Sequence, residues 1–293
     1  MRVTDSMLSD LNRNGLNAAR ERVAHAQRVA SSGLRVEKPS DDPTSAALGR
    51  RKVNEAERIE AMLKTANVGA FALQVVDDTF SHMNDLAARA KELAVQAAND
   101  TLSAEDRQGI AIEIKSLREE LLAAANTRVD GKYVLGGLRE DAPPFDPTTG
   151  AFVGDRSQRE VEVAPGVRVA TSVPAGEVLA PSGGLDVLAA LDQLHTALMT
   201  NNLTNIQQGI DDIGVAEDQI NAGRAEAGAY TQRLEQAQAL ATRLKDATNE
   251  SRSQAVEADV YDSLSELSRT QTIFEQAIAI AAKLPLPGLA QRG

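Results

Sequence analysis

Apolar residues recur every three or four positions over the first thirty residues, and a small polar segment with glycine, Ser31-Ser32-Gly33, interrupts the pattern. This spacing places side chains on one face of an α-helix, and glycine favours the left-handed conformation that commonly ends one. The pattern therefore predicts a first helix that stops near Gly33. Its apolar positions are Leu8, Leu11, Gly15, Ala19, Val23, Ala26 and Ala30.

Proline positions indicate where long helices can form. No proline lies in residues 44–142 or 182–284, whereas six of the ten prolines fall within 143–181. Because an interior proline costs a helix about 3 kcal/mol, the two proline-free stretches permit long helices. The first stretch predicts a helix from Thr44 or Ser45 to about Asn99. A second helix is predicted to start after the N-cap Ser103, with Asp106 at the third position, and to end near Asp130-Gly131.

Three further apolar stripes follow Pro181. The first runs from Leu185 to Leu198, Asn201-Asn202 interrupts it, and the second runs from Ile206 to Leu244. The last stripe contains Val256, Val260, Leu264, Leu267, Gln271, Phe274, Ile278 and Ala281. Alternating steps of three and four are typical of coiled-coil packing.

The middle of the chain carries strand signals. Residues 161–163 and 167–169 alternate apolar and polar around Ala164-Pro165-Gly166, which is a hairpin pattern. Residues 150–154, Val173 and residues 178–179 are expected to add short strands. We therefore expect a β-rich insert at 137–182 that projects from the helices, between an N-terminal helical segment at 1–136 and a C-terminal one at 183–293.

Together these patterns predict a mainly α fold: a long antiparallel coiled-coil-like helical rod built from both chain ends, with a small β-rich insert in the middle. A compact soluble bundle closed by the same stripes is the alternative. In the rod, apolar surface left over after the two ends pair is available for association between subunits. The assembly interface expected on the end helices comprises Leu8, Leu11, Val23, Val260, Leu264, Leu267, Phe274 and Ile278.

Composition narrows the function classes. The 293 residues include no cysteine and no tryptophan, only 3% are aromatic, and the net charge is −11. Thiolate metal sites and cysteine nucleophiles are therefore excluded. An acidic chain without a basic run is also a poor ligand for nucleic acid. No apolar run approaches the length of a membrane span, and the first residues lack the apolar region of a cleavable signal peptide.

Catalytic motifs are missing from the sequence. The three histidines, His25, His82 and His195, have no metal-ligand spacing, and no glycine-rich phosphate loop or nucleophile elbow occurs. The acidic pair Asp41-Asp42 lacks further oxygen ligands and precedes Pro43, so it is expected to cap the next helix. We predict a protein that is not an enzyme and that has no cofactor and no metal.

Four segments carry a family resemblance. They are SSGLRVEKPSDDP at 31–43, NDTLS at 99–103, REVEVAPGV at 159–167 and EAD at 257–259, with apolar Leu264, Leu267 and Phe274 after the last. On these segments the chain resembles the flagellin superfamily, and more closely its hook–filament junction branch. The tail departs from the family, because Leu284-Pro285-Leu286-Pro287-Gly288 breaks the last helix.

The resemblance implies a structural subunit of the bacterial flagellum that joins hook to filament as an assembly adaptor. It implies export to the cell exterior without a cleaved signal, with an export chaperone. The implied partners are a second junction protein, flagellin and copies of the chain itself, and the end helices are expected to form their coiled coil only when such neighbours cover their stripes. The filament subunit is the alternative, followed by a soluble coiled-coil scaffold.

Overall fold

The computed structural model describes residues 5–283, which form seven helices and two small antiparallel sheets. The helices are α1 Asp5–Ser32, α2 Pro43–Ala97, α3 Ala104–Ala125, α4 Ala175–Val178, α5 Val187–Met199, α6 Leu203–Val256 and α7 Val260–Lys283. The strands are β1 Arg128–Val129, β2 Lys132–Tyr133, β3 Glu160–Ala164 and β4 Val167–Ala170. The prediction of a mainly α fold with a small β-rich part is confirmed. Residues 1–4 and the proline-containing tail lie outside the described residues.

The chain divides into two compact units. A terminal unit combines the residues up to Glu57 with those from Lys245 onwards, and a central unit contains Arg58–Leu244. Both borders fall inside a long helix, because α2 and α6 each contribute to both units. Residues 137–182, the expected insert, lie wholly within the central unit.

Two short links join the helices of the terminal unit. The link between α1 and α2 begins at Gly33, whose φ of 71° ends α1 as predicted. Its main chain bonds to the end of α6 and to the link before α7: Arg35 N donates to Val256 O at 2.9 Å, and Ala258 N donates to Gly33 O at 2.9 Å. These hydrogen bonds hold the two links side by side.

The acidic pair in the first link caps a helix, as predicted. The main-chain N–H groups of Thr44 and Ser45 donate to Asp42 Oδ1, each at 3.1 Å, at the start of α2. Hydrogen bonds from Ser45 hold the pKa of Asp42 below its ordinary value, since they favour the charged carboxylate. The main-chain N–H of Lys38 lowers the pKa of Asp41 in the same way.

The antiparallel pair of α2 and α6 is the axis of the central unit. Arg224 Nε donates to Asp77 Oδ1 at 2.9 Å, and Gln238 Nε2 donates to Asn67 Oδ1 at 3.0 Å, so residue numbers fall on one helix as they rise on the other. The buried faces combine large side chains, such as Leu73 and Phe80 on α2, with many alanines. The buried alanines include Ala66, Ala87, Ala90 and Ala94 on α2 and Ala216, Ala227, Ala237 and Ala241 on α6.

Helices α3 and α5 cover one part of this pair and complete a four-helix arrangement. The predicted cap of α3 is confirmed: Asp106 N donates to Ser103 Oγ at 3.1 Å, and Ser103 N donates to the Asp106 carboxylate. Arg89 on α2 pairs with Glu113 on α3 at 2.8 Å. The predicted interruption at Asn201-Asn202 is also confirmed, because Asn201 has a φ of 53° between α5 and α6.

The predicted end of α3 is wrong. The helix stops at Ala125 with Asn126 as its C-cap, and Asp130-Gly131 instead turns a two-residue hairpin between β1 and β2. Both turn residues have positive φ, 50° and 81°, which is the geometry that Asp-Gly favours in such hairpins. The Asn126 amide then bonds to both main-chain groups of Phe145, so its side chain pairs with the segment that follows.

The predicted hairpin of the insert is confirmed in β3 and β4. Its register pairs Val161 with Val169 and Ala164 with Val167, so Pro165-Gly166 forms the turn. The hairpin was expected to project, but its inner face packs on the long helices instead. Buried Val163 and Val169 contact side chains of α2 and α6, which are Ala66, Leu73, Leu234 and Ala237. The hairpin therefore continues the cover that α3 and α5 provide.

The other short strands predicted for the insert are wrong. Residues 175–178 form the one-turn helix α4, and residues 150–154 contribute a single bridge, between Phe152 and Phe145. These two rings meet edge to face at 5.4 Å, and the Arg156 guanidinium lies 4.7 Å from the Phe152 centroid. Aromatic and cation–π packing supports this region together with main-chain hydrogen bonds from Asp146 N to Ala151 O and from Val153 N to Pro144 O, each at 2.9 Å.

A buried arginine fixes the end of the four-helix arrangement. Arg107 is only 4% exposed, and it donates from Nε to Ala97 O and from Nη2 to Asn99 O, each at 2.8 Å. It also donates to Asn201 Oδ1. One side chain therefore links the end of α2 and the turn that follows it to the turn between α5 and α6.

Substitution of two helical glycines tests the packing of the β3–β4 hairpin on α2. A Cβ at Gly69 would lie 2.5 Å from Thr171 Cγ2, and Thr171 is buried, whereas a Cβ at Gly228 would meet no atom within 4 Å. We expect Gly69→Ala to lower the free energy of unfolding by about 1–3 kcal/mol through overpacking. Gly228→Ala should raise it by about 0.5–1 kcal/mol, because alanine is the better helix former. Urea unfolding followed by circular dichroism measures both, and equal effects of the two substitutions would contradict the packing of the hairpin on α2.

Removal of the buried arginine tests the link at the end of the central unit. We expect Arg107→Met to lower the free energy of unfolding by about 2–3 kcal/mol, because it leaves buried acceptor groups without donors. Lys115→Met, on the exposed face of α3, is the control and should change it by less than about 0.5 kcal/mol. Chemical denaturation of both variants is the measurement, and a neutral Arg107→Met would show that the link carries no stability.

Candidate assembly surfaces of the terminal helices

Helices α1 and α7 pack on each other within a single chain. Arg22, Ala26 and Val29 of α1 and Ser263 and Thr270 of α7 line a shared cavity of about 220 Å³. The end of α1 lies beside the start of α7, since Ala258 N donates to Gly33 O at 2.9 Å, so the paired helices are antiparallel. The expected pairing of the N-terminal helix with the C-terminal helix is therefore present in the structure. The pairing is formed within one chain in this structure, and the expectation that neighbours complete it stays a prediction.

The seam between the two helices follows a three-four spacing. On α7 it consists of Ser263, Leu267, Thr270, Phe274, Ala277 and Ala281, and on α1 of Asn12, Leu16, Ala19, Val23 and Ala26. Thr270, Ala19 and Ala26 are buried, and the other members are half-buried. Small residues at the centre of the seam let the helices approach closely.

The predicted interface residues divide between this seam and open surface. Val23, Leu267 and Phe274 lie on the seam and are half-buried inside the chain. The second group is exposed and points away from the seam: Leu11 is 68% exposed, Val260 64%, Leu264 52% and Ile278 46%. Leu8 belongs to α1, but its side chain lies outside the described residues.

Four exposed apolar side chains near this surface were missed by the sequence patterns. Tyr261 is 86% exposed, and Met7, Ile273 and Ile280 are exposed as well. They lie off the stripe that defines the seam, so a search for one continuous stripe passes over them. Apolar positions on two or more faces of one helix would have been the signal, since a helix that pairs with one partner needs only one apolar face.

The exposed apolar set lies on both terminal helices. Contiguous apolar surface on a protein is typical of sites that other proteins cover. Within residues 5–283, no group of three or more histidine, aspartate or glutamate side chains is arranged to hold a metal ion. Of the helices described, none is long and apolar enough to cross a membrane. His82 lies 3.4 Å from Glu120 on the exposed surface of the central unit, without a third group that would make a proton relay.

Comparison with known protein families gives two matches. Residues 3–140 match the bacterial flagellin N-terminal helical region, and residues 210–285 match the bacterial flagellin C-terminal helical region. The two matches together cover most of the chain. They leave out the part that contains β3, β4, α4 and α5.

Similar proteins include flagellar hook-associated proteins and flagellins. Flagellar hook-associated protein 3 of Escherichia coli (strain K12) is 30% identical over 217 residues, which are 68% of this chain and 67% of that protein. The protein of the same name from Salmonella typhimurium is 28% identical over 216 residues. Flagellin of Listeria monocytogenes is 25% identical over 283 residues, which are 97% of this chain and 95% of that protein.

Solved structures show the same fold. A flagellar hook-associated protein from Vibrio parahaemolyticus is similar with a TM-score of 0.68 at 21% identity, over 74% of this chain and 100% of that one. Flagellar hook-associated protein 3 from Legionella pneumophila has a TM-score of 0.61 at 17% identity, over 70% and 97% of the two chains. The chain therefore belongs to the bacterial flagellin family, within which it is similar to flagellar hook-associated protein 3.

Proposed function

We propose that this protein is a structural subunit of the bacterial flagellum that joins hook to filament as an assembly adaptor. The observation that carries the proposal is the paired α1 and α7 with apolar side chains exposed beside their seam, in a chain similar to hook-associated protein 3. A subunit of an axial assembly needs such faces, because each copy must be covered by its neighbours.

The driving force is burial of the exposed apolar surface. Covering Leu11, Val260, Leu264 and Ile278 removes apolar area from water, at about 25 cal/mol per Å². Because the seam is already formed within one chain, a neighbour adds contacts without first having to build the helix pair. Proposed neighbours are a second junction protein, flagellin and other copies of this chain.

The same exposed apolar surface is the reason to propose an export chaperone. A chain with exposed apolar helices is prone to premature association, so an export chaperone that covers α1 or α7 fits this subunit. Export without a cleaved signal peptide, and a final place outside the cell, belong to the proposal. The proposed role is structural and uses no catalytic residue and no cofactor.

A filament subunit is the second candidate. The similarity to Listeria flagellin supports it, because that match extends over 97% of this chain. Both candidates use the same terminal helices and differ in position and copy number. Helical assembly of a filament needs many copies, whereas a junction needs a short stack or ring.

Gene deletion with immunogold labelling separates the two candidates. Under the proposal, the deletion strain makes hooks without filaments and releases flagellin monomer into the medium. Gold-labelled antibody against this chain marks a single position where hook meets filament in the parent strain. Label along the entire filament would establish the filament subunit instead, and normal filaments in the deletion strain would refute the junction role.

Aspartate substitutions on α7 test the division between seam and open face. We expect Leu264→Asp to leave the free energy of unfolding within about 0.5 kcal/mol, because the site is exposed, and yet to abolish filament formation. Phe274→Asp should lower the stability of the α1–α7 pair by about 2–4 kcal/mol, because the new charge faces the seam. Circular dichroism with urea measures stability, and a swarming assay with electron microscopy measures assembly.

Gln276→Asp is the matched control for these two substitutions. Gln276 is exposed on the same helix, so this variant adds the same charge without removing an apolar side chain. It should retain both stability and filaments. A strain carrying Leu264→Asp that swims normally would show that the exposed face of α7 is not an assembly surface.

A further inference from the structure

Charge is divided unequally between the two units. The sequence of the terminal unit contains 15 basic and 15 acidic residues, whereas the central unit contains 16 basic and 27 acidic residues. The whole net charge of −11 therefore belongs to the central unit. Equivalent central surfaces of two copies repel each other, but a central surface and a terminal surface do not.

The terminal unit contains an apolar groove beside the link between α1 and α2, which we call the link groove. Its volume is about 350 Å³. Apolar side chains form most of its lining, and Val53 is 38% exposed in it. The apolar lining residues are Leu34, Val36, Pro39, Ala46, Val53 and Val256.

One positively charged side chain on the rim of the link groove has no acidic partner among residues 5–283. Glu37 pairs with Arg28 at 3.9 Å, and Arg252 pairs with Glu257 at 2.7 Å. Arg50 also lines the groove and is exposed, and among residues 5–283 it has no ion-pair or hydrogen-bond partner. The Nε of Arg252 is buried without a hydrogen-bond partner. The groove therefore fits an apolar side chain that is accompanied by carboxylates.

The central unit presents such a combination on α6. Val215 is 48% exposed, and Asp211, Asp212 and Asp218 lie within one helical turn of it. Residues 203–223 contain four acids and no base. The fourth acid, Glu217, is already paired with Lys91, whereas the other three have no ion-pair partner in the part of the chain that the structure describes. We call this surface the acidic face.

We propose that the acidic face of one copy docks in the link groove of a second copy, with Val215 against the apolar lining and its aspartates toward Arg50. The inference rests on the proposed function, because it assigns one contact between the copies of that assembly. The two surfaces are different, so the contact is heterologous and can generate a ring or a helical stack.

Charge complementarity selects a second copy as the occupant. Opposite charges around an apolar centre give specificity and fix the register of a contact, while two acidic faces repel each other. The contact should weaken at high salt, because both sets of charges lie at the surface.

Cysteine cross-linking tests the contact directly, since the natural chain has no cysteine. One variant carries Asn54→Cys at the link groove, and a second carries Val215→Cys on the acidic face. Mild oxidation of flagella assembled from both variants should give a disulfide-linked dimer of the two. A third variant, Gln108→Cys on the exposed surface of α3, replaces either partner as the control and should give none.

A charge exchange tests the electrostatic part of the contact. Arg50→Glu should lower the yield of the cross-link by about tenfold, because it places like charges together. Adding Asp211→Arg and Asp218→Arg to the same chain should restore the yield to within about twofold of the original. Lys115→Glu, an exposed change outside both surfaces, should leave the yield unchanged.

The outcomes separate this inference from the proposed function. If antibody finds the cysteine variants at the hook–filament junction but the mixed disulfide is missing, or if Asn54→Cys pairs only with itself, the docking contact is refuted and the junction role stands. If the chain is not found at the junction, the proposed function fails whatever the cross-link yields. A mixed disulfide that forms equally well with Arg50→Glu would overturn the role given to charge.

Discussion

The pairing of α2 with α6 is the interaction on which the rest of the structure depends. Side chains of both helices share the buried clusters of the central unit, where large residues such as Leu73 and Phe80 lie beside alanines. Two helices alone cannot cover this apolar surface. Helices α3 and α5 cover one stretch, and the β3–β4 hairpin covers another through Val163 and Val169. The small middle segment is therefore part of the core and not an appendage.

Packing between the terminal helices covers only part of their apolar surface. The seam between α1 and α7 uses alanines, a threonine and a few larger residues, and it covers only one stripe of each helix. Apolar side chains on the neighbouring stripes remain exposed. In a protein that acts alone this surface would favour aggregation, whereas in a subunit of an axial assembly it supplies the contacts.

Electrostatics gives the two units different roles. The terminal unit has no net charge, so its apolar faces can meet those of other copies without long-range repulsion. The central unit carries the whole excess of acid, which keeps equivalent surfaces apart and disfavours random association. The balance between the two units favours contacts of particular geometry over unspecific clustering.

Local signals in the sequence determined the helix limits and the main hairpin. Gly33, Ser103 with Asp106, and Pro165-Gly166 act on their own neighbours, so their effects could be predicted without any tertiary contact. Asp130-Gly131 is also a local signal, but an Asp-Gly pair suits both a helix end and a hairpin turn, and the earlier end of α3 at Ala125 makes it a hairpin turn here.

Tertiary structure alone decided which apolar side chains are covered. Leu16 and not Leu11 lies on the seam of α1, and Leu267 and not Leu264 lies on that of α7. In each case the two leucines lie within about one turn and a half of each other, and a spacing of three or four cannot say which face meets the partner helix. That choice depends on the rotation of each helix about its axis, which is set by packing between residues far apart in the chain.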